Sequence, residues 1–476
     1  MKHIKKFYSV LVAFVMAFTM STTIFAADTT ITAPAGSTRT YDVYQIFTGD
    51  LSDGVLSNVK WGKNGQGTKG EAVPDATTKA LEAVNSLSDT KKLEKIKEFV
   101  NLDSEKFGTV SDGSPLNAPT GYYLIKDNGP VGDGEAYSLY VVQVVGPTTI
   151  SPKVGTVTSE KKVDDKNDSN TTEDAVVWQD SADYDIGDDV PFQLKATIAQ
   201  DYDNYKVYKL TFHDKESAGL TFKPETVVVK IDGATVDKSN YSVVTTGLTD
   251  GDTFEVRFAD LKSTAAKAGS VITVEYSSTL NDQAVLGSTG NPNTMHVTYS
   301  NNPNDAQGGE NGKTPDDTVI VFTYKVVVNK VDEKKDPLKG AGFTLYKKNA
   351  SGEYVVVGSE VKGDDMTTFE WSGLDDGDYK LVETTTPAGY NTIADIEFTI
   401  SAEHDVLSDN PALTSLSGGN KFTGVVDTGT VSTNVENKKG ATLPETGGIG
   451  TTMFYVAGAG LVLVAVVLLI TRKRMN

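Results

Sequence analysis

The chain contains no cysteine, so no disulfide can form and no thiol can serve as nucleophile or metal ligand. Histidine is nearly as scarce, with four residues in 476. His213, His296 and His404 lie far apart and none has a metal-ligand spacing. His213 precedes Asp214, but a histidine at a strand end is more often structural. Nucleophile elbows, phosphate loops and dinucleotide fingerprints are all missing. These gaps leave catalysis on external substrates without support; the expectation is a non-enzyme with no cofactor and no metal. Positive charge is also short: 44 Lys and Arg face 64 Asp and Glu, a net charge of −20. No long basic stripe interrupts that acidity, which argues against a nucleic-acid partner. The acidic run Asp164-Asp165-Lys166-Asn167-Asp168-Ser169-Asn170 lacks the glycine that a calcium loop needs at its sixth position, so it reads as a solvated loop.

Long apolar runs occur only at the two ends. Lys2, Lys5 and Lys6 precede an apolar stretch from Val10 to Met20, and small residues follow at Ala26 and Ala27. This is the pattern of a secretory signal over residues 1–27, removed on export. An exported chain is free to use disulfides, so any covalent stapling here needs other chemistry. At the other end, Thr451 to Ile470 carries no charge and is long enough to span a bilayer as a helix. Arg472, Lys473 and Arg474 follow, and would hold the end on the cytoplasmic side. Before the span stands Leu443-Pro444-Glu445-Thr446-Gly447. The order of pentapeptide, apolar span and basic tail resembles the wall-sorting signal of Gram-positive surface proteins, over residues 443–476. The resemblance implies that a sortase cleaves between Thr446 and Gly447 and passes the Thr446 carboxyl, through a thioester, to an amine.

Between the ends lie 44 glycines in the whole chain and many short Val/Ile/Thr/Tyr runs broken by Asp-Gly, Asn-Pro and Gly-Asp. That texture predicts a mainly β protein of several sandwich domains. The first, residues 28–153, mixes strands with a helical stretch from Thr77 to Leu102, where Leu81, Val84, Leu87, Leu93, Ile96, Phe99 and Val100 recur at helical spacing. The second spans 154–324, with a strand predicted over Lys206 to Phe212. The third spans 325–440. No turn signal separates Thr318 from Val328, which predicts one continuous strand across the joint.

In the third domain, Gly340-Ala341-Gly342-Phe343-Thr344-Leu345-Tyr346, Gly377-Asp378-Tyr379-Lys380-Leu381-Val382-Glu383-Thr384 and Pro387-Ala388-Gly389-Tyr390 resemble a collagen-adhesin B-type domain. The resemblance implies an isopeptide bond between a lysine of the first strand, Lys330, and an asparagine of the last, Asn437, promoted by buried Glu383. The residue types suit that chemistry. An amine attacks only when neutral, and apolar burial favours the neutral amine and the protonated acid alike. Such an acid can polarise the carboxamide and shuttle protons as ammonia leaves. Period-two alternation puts Val326, Val328 and Lys330 on one strand face.

The second domain resembles the middle domains of Gram-positive backbone pilins, which often carry the same bond with an aspartate promoter. Lys209-Leu210-Thr211-Phe212-His213-Asp214 then points to Asp214, and Tyr299-Ser300-Asn301-Asn302-Pro303 to Asn301. The lysine is Lys161 or Lys162; Lys161 shares a face with Val157 and Val163 and is favoured. In polymerising pilins the acceptor amine lies at the first junction, in a motif often ending Tyr-Pro-Lys. Here Pro152-Lys153 fits, with Ser151 in the tyrosine position, so Lys153 is the acceptor expected to receive Thr446 of the next subunit. The resemblance implies a sortase-assembled major pilin of the cell-wall surface, with sortase, identical head-to-tail subunits and peptidoglycan as partners. Minor pilins and host surface ligands are further candidates. The competing reading is a monomeric wall-anchored adhesin that uses the same Ig-like, collagen-adhesin-type β-sandwiches as a stalk.

Overall fold

The computed structural model describes residues 29–52, 55–84, 95–129, 137–144, 147–150, 155–166, 176–248, 250–303, 305, 307–308, 311–440 and 450–474. The signal segment, the Lys153 junction and the Leu443–Gly447 motif lie outside the described residues. The architecture is mainly β, as the alternating patterns predict. In the first segment Tyr41–Ser52 pairs with Val55–Trp61, Gly108–Val110 and Gly121–Asp127, and Leu139–Val144 extends the sheet. A small second sheet pairs Thr29–Thr32 antiparallel with Leu116–Ala118 and parallel with Thr148–Thr149. Of the predicted helical stretch, a helix covers Asp75–Val84 and residues 95–97 are helical, while 85–94 lie outside the described residues; Ile96 and Val100 pack with Phe47 and Trp61.

The middle segment is a sandwich of two seven-stranded sheets. One holds Thr158–Asp164, Asp189–Thr197 and Val271–Leu280; the other holds Leu210–Glu216, Asn291–Ser300 and Asp317–Phe322. Strict alternation of buried and half-buried residues along Val271–Leu280 shows why these runs fold as strands: every second side chain enters the core. The strand predicted from Lys206 instead begins at Leu210, because Tyr205 and Tyr208 pack edge-on at 4.9 Å in the core before pairing starts. It continues to Glu216, which places Asp214 inside the ladder.

The third segment packs a four-stranded sheet on a five-stranded one. Its first strand, Tyr324–Val331, runs parallel to its last, Thr430–Glu436, with Lys330 opposite Val435. Gly377–Thr385 lies in the facing sheet. Beyond it, Gly450–Arg474 is a 25-residue helix, about 37 Å long at 1.5 Å per residue and long enough to cross a bilayer.

The joint between the two sandwiches is almost the continuous strand predicted. Asp317–Phe322 and Tyr324–Val331 are separated only by Thr323, where the chain leaves one sheet for the next. Two loops brace this point. Gly287 donates to Thr323 O at 3.2 Å, and Lys325 donates to Gly429 O at 2.8 Å. Gly287 and Gly429 both adopt positive φ, +74° and +61°, and a Cβ on Gly429 would meet Gly287 Cα at 2.8 Å. A side chain at either position is strained by conformation and obstructed by backbone. We therefore predict that Gly429→Ala destabilises the chain by about 2 kcal/mol or more in denaturant unfolding; an unchanged midpoint would contradict this tight contact.

Candidate cross-linking sites

The third sandwich brings Lys330, Glu383 and Asn437 together. Alternation along Tyr324–Val331 turns Val326, Val328 and Lys330 into the core. Glu383 enters from the opposite sheet, and Asn437 follows the last strand. All three are buried, Asn437 completely. Lys330 Nζ donates to Val435 O at 3.0 Å and contacts Asn437 Oδ1 directly. Asn437 Nδ2 donates to Glu383 Oε1 at 2.8 Å and Oε2 at 3.1 Å. Lys330 Nζ and Glu383 Oε1 are 3.6 Å apart, and the backbone N–H of Ile393 donates to Glu383 Oε2 at 3.0 Å. Burial pushes the Lys330 amine below its ordinary pKa, against the pull of Glu383, and so favours the nucleophilic form. The carboxamide is thus held with its oxygen at the amine and its nitrogen at the acid.

The middle sandwich distinguishes the two candidate lysines. Lys161 is fully buried, with Nζ beside the stacked rings of Phe192 and Tyr276, 5.3 and 5.4 Å from their centroids. Its Nζ contacts Asp214 Oδ2 and donates to Tyr276 OH at 2.9 Å; Tyr276 OH donates to Asp214 Oδ2 at 2.9 Å. Lys162 faces outward and pairs with Asp180 and, at 3.4 Å, with Glu160. Burial lowers the Lys161 pKa and raises that of Asp214, in each case against the attraction of the other, so the pair tends towards neutral amine and neutral acid. His213, the neighbour of Asp214, points to the other face. It contacts Asp252 Oδ2 and Thr298 Oγ1, each at 2.8 Å, and stacks on His296.

The asparagine expected from the sequence is not at this cluster. Asp214 pairs with Met295, so Asn301 lies six residues further on, roughly 20 Å along the strand direction. Its carbonyl instead accepts the Tyr137 N–H at 2.6 Å, where the first segment meets the middle one. The asparagine at the cluster is Asn293, fully buried, with Nδ2 donating to Tyr276 OH at 2.9 Å. Asn293 Oδ1 and Asp214 Oδ1 are both buried without a hydrogen-bond partner, so a proton on the acid would supply a donor where one is wanting. Asn293 and Asn301 have the same strand parity; alternation admits both, and only the pairing register separates them. Tyr276 also escaped the sequence reading, since a tyrosine on the core face of a strand is ordinary packing.

Lys153, Leu443, Pro444, Glu445, Thr446 and Gly447 lie outside the described residues.

Three family models match separate parts of the chain. Residues 186–303 match the family model of Gram-positive pilin backbone subunit 2, a Cna-B-like domain. Residues 324–410 match a prealbumin-like fold domain, and 435–476 the LPXTG cell wall anchor motif. The trypsin-resistant surface T6 protein of Streptococcus pyogenes serotype M6 is 34% identical over 130 residues, 25% of this chain; the match spans only 23% of that relative's length. Among solved structures, the T6 backbone pilin of serotype M6 S. pyogenes is 19% identical, with 87% of this chain and 98% of that one covered and a TM-score of 0.53. The full-length major pilin SpaD of Corynebacterium diphtheriae is 18% identical, with 87% and 98% covered and a TM-score of 0.49.

Complete burial of one lysine and partial burial of the other generate a direct test. Lys161→Met leaves Asp214 and the Tyr276 hydroxyl without their buried partner and should cost about 3 kcal/mol in denaturant unfolding. Lys162→Met removes a half-buried pair whose Asp180 keeps the Ser408 N–H as a partner, and should cost clearly less, about 1 kcal/mol. Equal costs would contradict this assignment.

Proposed function

We propose that this chain, a Gram-positive backbone pilin by its pilin and anchor domains, is the repeating subunit of a covalently polymerised pilus shaft on the cell wall. Each subunit would be stabilised by two internal Lys–Asn isopeptide bonds. The observation that carries the reading is the burial of an amine, an acid and a carboxamide in one contact group, in each of two sandwiches.

In the third sandwich, neutral Lys330 Nζ attacks Asn437 Cγ from the position where it contacts the amide oxygen. A new C–N bond forms, Glu383 takes a proton from the attacking nitrogen, and a proton returns to Asn437 Nδ2, which Glu383 already holds. The old C–N bond breaks and ammonia departs. The acid ends as it began, so no other reactant is needed. In the middle sandwich Lys161, Asp214 and Asn293 take the same roles, with Tyr276 OH fixing all three. The chain acts once on itself and is otherwise a substrate.

Polymerisation follows from the ends. The LPXTG motif supplies Thr446 to a sortase, and Lys153 at the first junction supplies the accepting amine; the last Thr446 in a fibre passes to peptidoglycan. The terminal helix and basic tail would hold the subunit in the membrane until cleavage.

Two outcomes test the proposal. The exported chain should weigh one ammonia less than its sequence mass per bond, two in all. Asn293→Ala and Glu383→Ala should each restore one ammonia and Asn301→Ala none; a wild-type chain of full sequence mass would overturn the internal bonds. Boiled, detergent-treated wall extracts should show a high-mass ladder that collapses to monomer in Lys153→Ala. A single monomer band in both strains would leave the wall-anchored adhesin.

A further inference from the structure

A second buried group lies away from the lysines, where the middle and third sandwiches meet. Several backbone and side-chain bonds cross this seam: Asp180 N–H to Val406 O at 2.9 Å, Ser408 N–H to Asp180 Oδ2 at 2.8 Å, and Ile186 N–H to Gly373 O at 3.0 Å. Within it a small open cavity is lined by Asp165, Gln179, Asp183, Asp376 and His404. Asp165 and Asp183 come from the middle segment, and His404 from the end of strand Ile396–His404 in the third.

The protons at this cluster can be assigned. Ser181 Oγ donates its one proton to Asp405 O at 2.7 Å. The 2.8 Å contact between Ser181 Oγ and His404 Nδ1 therefore needs the hydrogen on Nδ1. His404 Nε2 is left with its lone pair, and that lone pair faces two carboxylate oxygens: Asp165 Oδ2 at 3.7 Å and Asp183 Oδ1 at 3.9 Å. These three ligand-capable atoms converge beside the open cavity. Asp183 is only 4% exposed, and its Oδ2 has no hydrogen-bond partner. The ligand-capable atoms of Asp165, Asp183 and His404 all lie within 4.8 Å of one another, and would draw together around one ion.

We propose that Asp165, Asp183 and His404 bind one divalent transition-metal ion, of the zinc or manganese type, across the joint of the two sandwiches. An imidazole nitrogen beside two carboxylates suits those ions better than calcium or magnesium, which prefer oxygen alone. Water from the open cavity would complete the coordination. The ligands already have supports: Gln179 Nε2 donates to Asp165 Oδ2 at 3.0 Å, the Asp183 N–H donates to Asp165 Oδ1 at 3.2 Å, and Ser181 fixes the imidazole. Because the ligands come from both sandwiches, the ion would pin their relative orientation reversibly, independently of any isopeptide bond. Sequence spacing could not reveal this site, since the histidine joins the two aspartates only through the fold.

The test uses untagged full-length chain in detergent, stripped with a chelator and titrated calorimetrically with Zn2+, Mn2+ and Ca2+. One Zn2+ or Mn2+ per chain is expected, with the melting temperature rising on binding. His404→Gln and Asp165→Asn should each weaken binding by roughly tenfold or more, about 1.4 kcal/mol, and Asp165→Asn should keep the metal-free melting temperature. Asp165 is half-exposed, so its variant reads binding without disturbing a packed core. No saturable Zn2+ or Mn2+ binding, equal binding in both variants, or binding of Ca2+ alone would each overturn the proposal.

Discussion

An amine sealed inside an apolar sandwich is the constraint on which this architecture turns. A charged lysine in such a place is costly, and the usual remedy is a paired acid that keeps both groups ionised. Here burial works the other way, lowering Lys161 and Lys330 and raising Asp214. Each amine has a carboxamide in its cluster: Asn437 touches Lys330 directly, and Asn293 shares the Tyr276 hydroxyl with Lys161. The same desolvation that makes these positions expensive as ion pairs makes them suitable for amide exchange. With no cysteine in the chain, such an exchange is the covalent staple open to it, and reductants would not cut it.

The two clusters differ in what they tie. Lys330 and Asn437 belong to parallel neighbours in one sheet, with Glu383 reaching across from the other. A bond there joins the first strand of the sandwich to its last, so load applied at the two ends would bypass everything between. Lys161 sits in one sheet, and Asp214 and Asn293 in the facing one, so that bond would rivet the two layers. It would leave Asp317–Phe322 outside the closed loop, held by its antiparallel ladder to Asn291–Met295 and by the short parallel strand Ser181–Asp183. The seam that follows, with its paired glycines and crossing hydrogen bonds, lies on the same unbypassed path.

Much of this was legible in the sequence, for identifiable reasons. Alternation placed Lys330 with Val326 and Val328, and favoured Lys161 over Lys162, because strand parity is a local property. The near-continuous strand through the joint followed from a missing turn signal. What failed was non-local. Asn301 has the right parity but the wrong register, and register is set by pairing with Leu210–Glu216, which local pattern does not encode. The start of that strand slipped from Lys206 to Leu210 because tyrosines packed into the core ahead of it. His404 beside Asp165 and Asp183 was invisible for the same reason: its neighbours come from another sandwich.

The most direct measurement is peptide mapping by tandem mass spectrometry of chains recovered from the cell wall. The account predicts branched peptides joining Lys330 to Asn437 and Lys161 to Asn293, and a third joining Lys153 to Thr446 of another subunit. Recovery of Lys330 and Lys161 only in linear peptides, cleaved after each lysine, would contradict it.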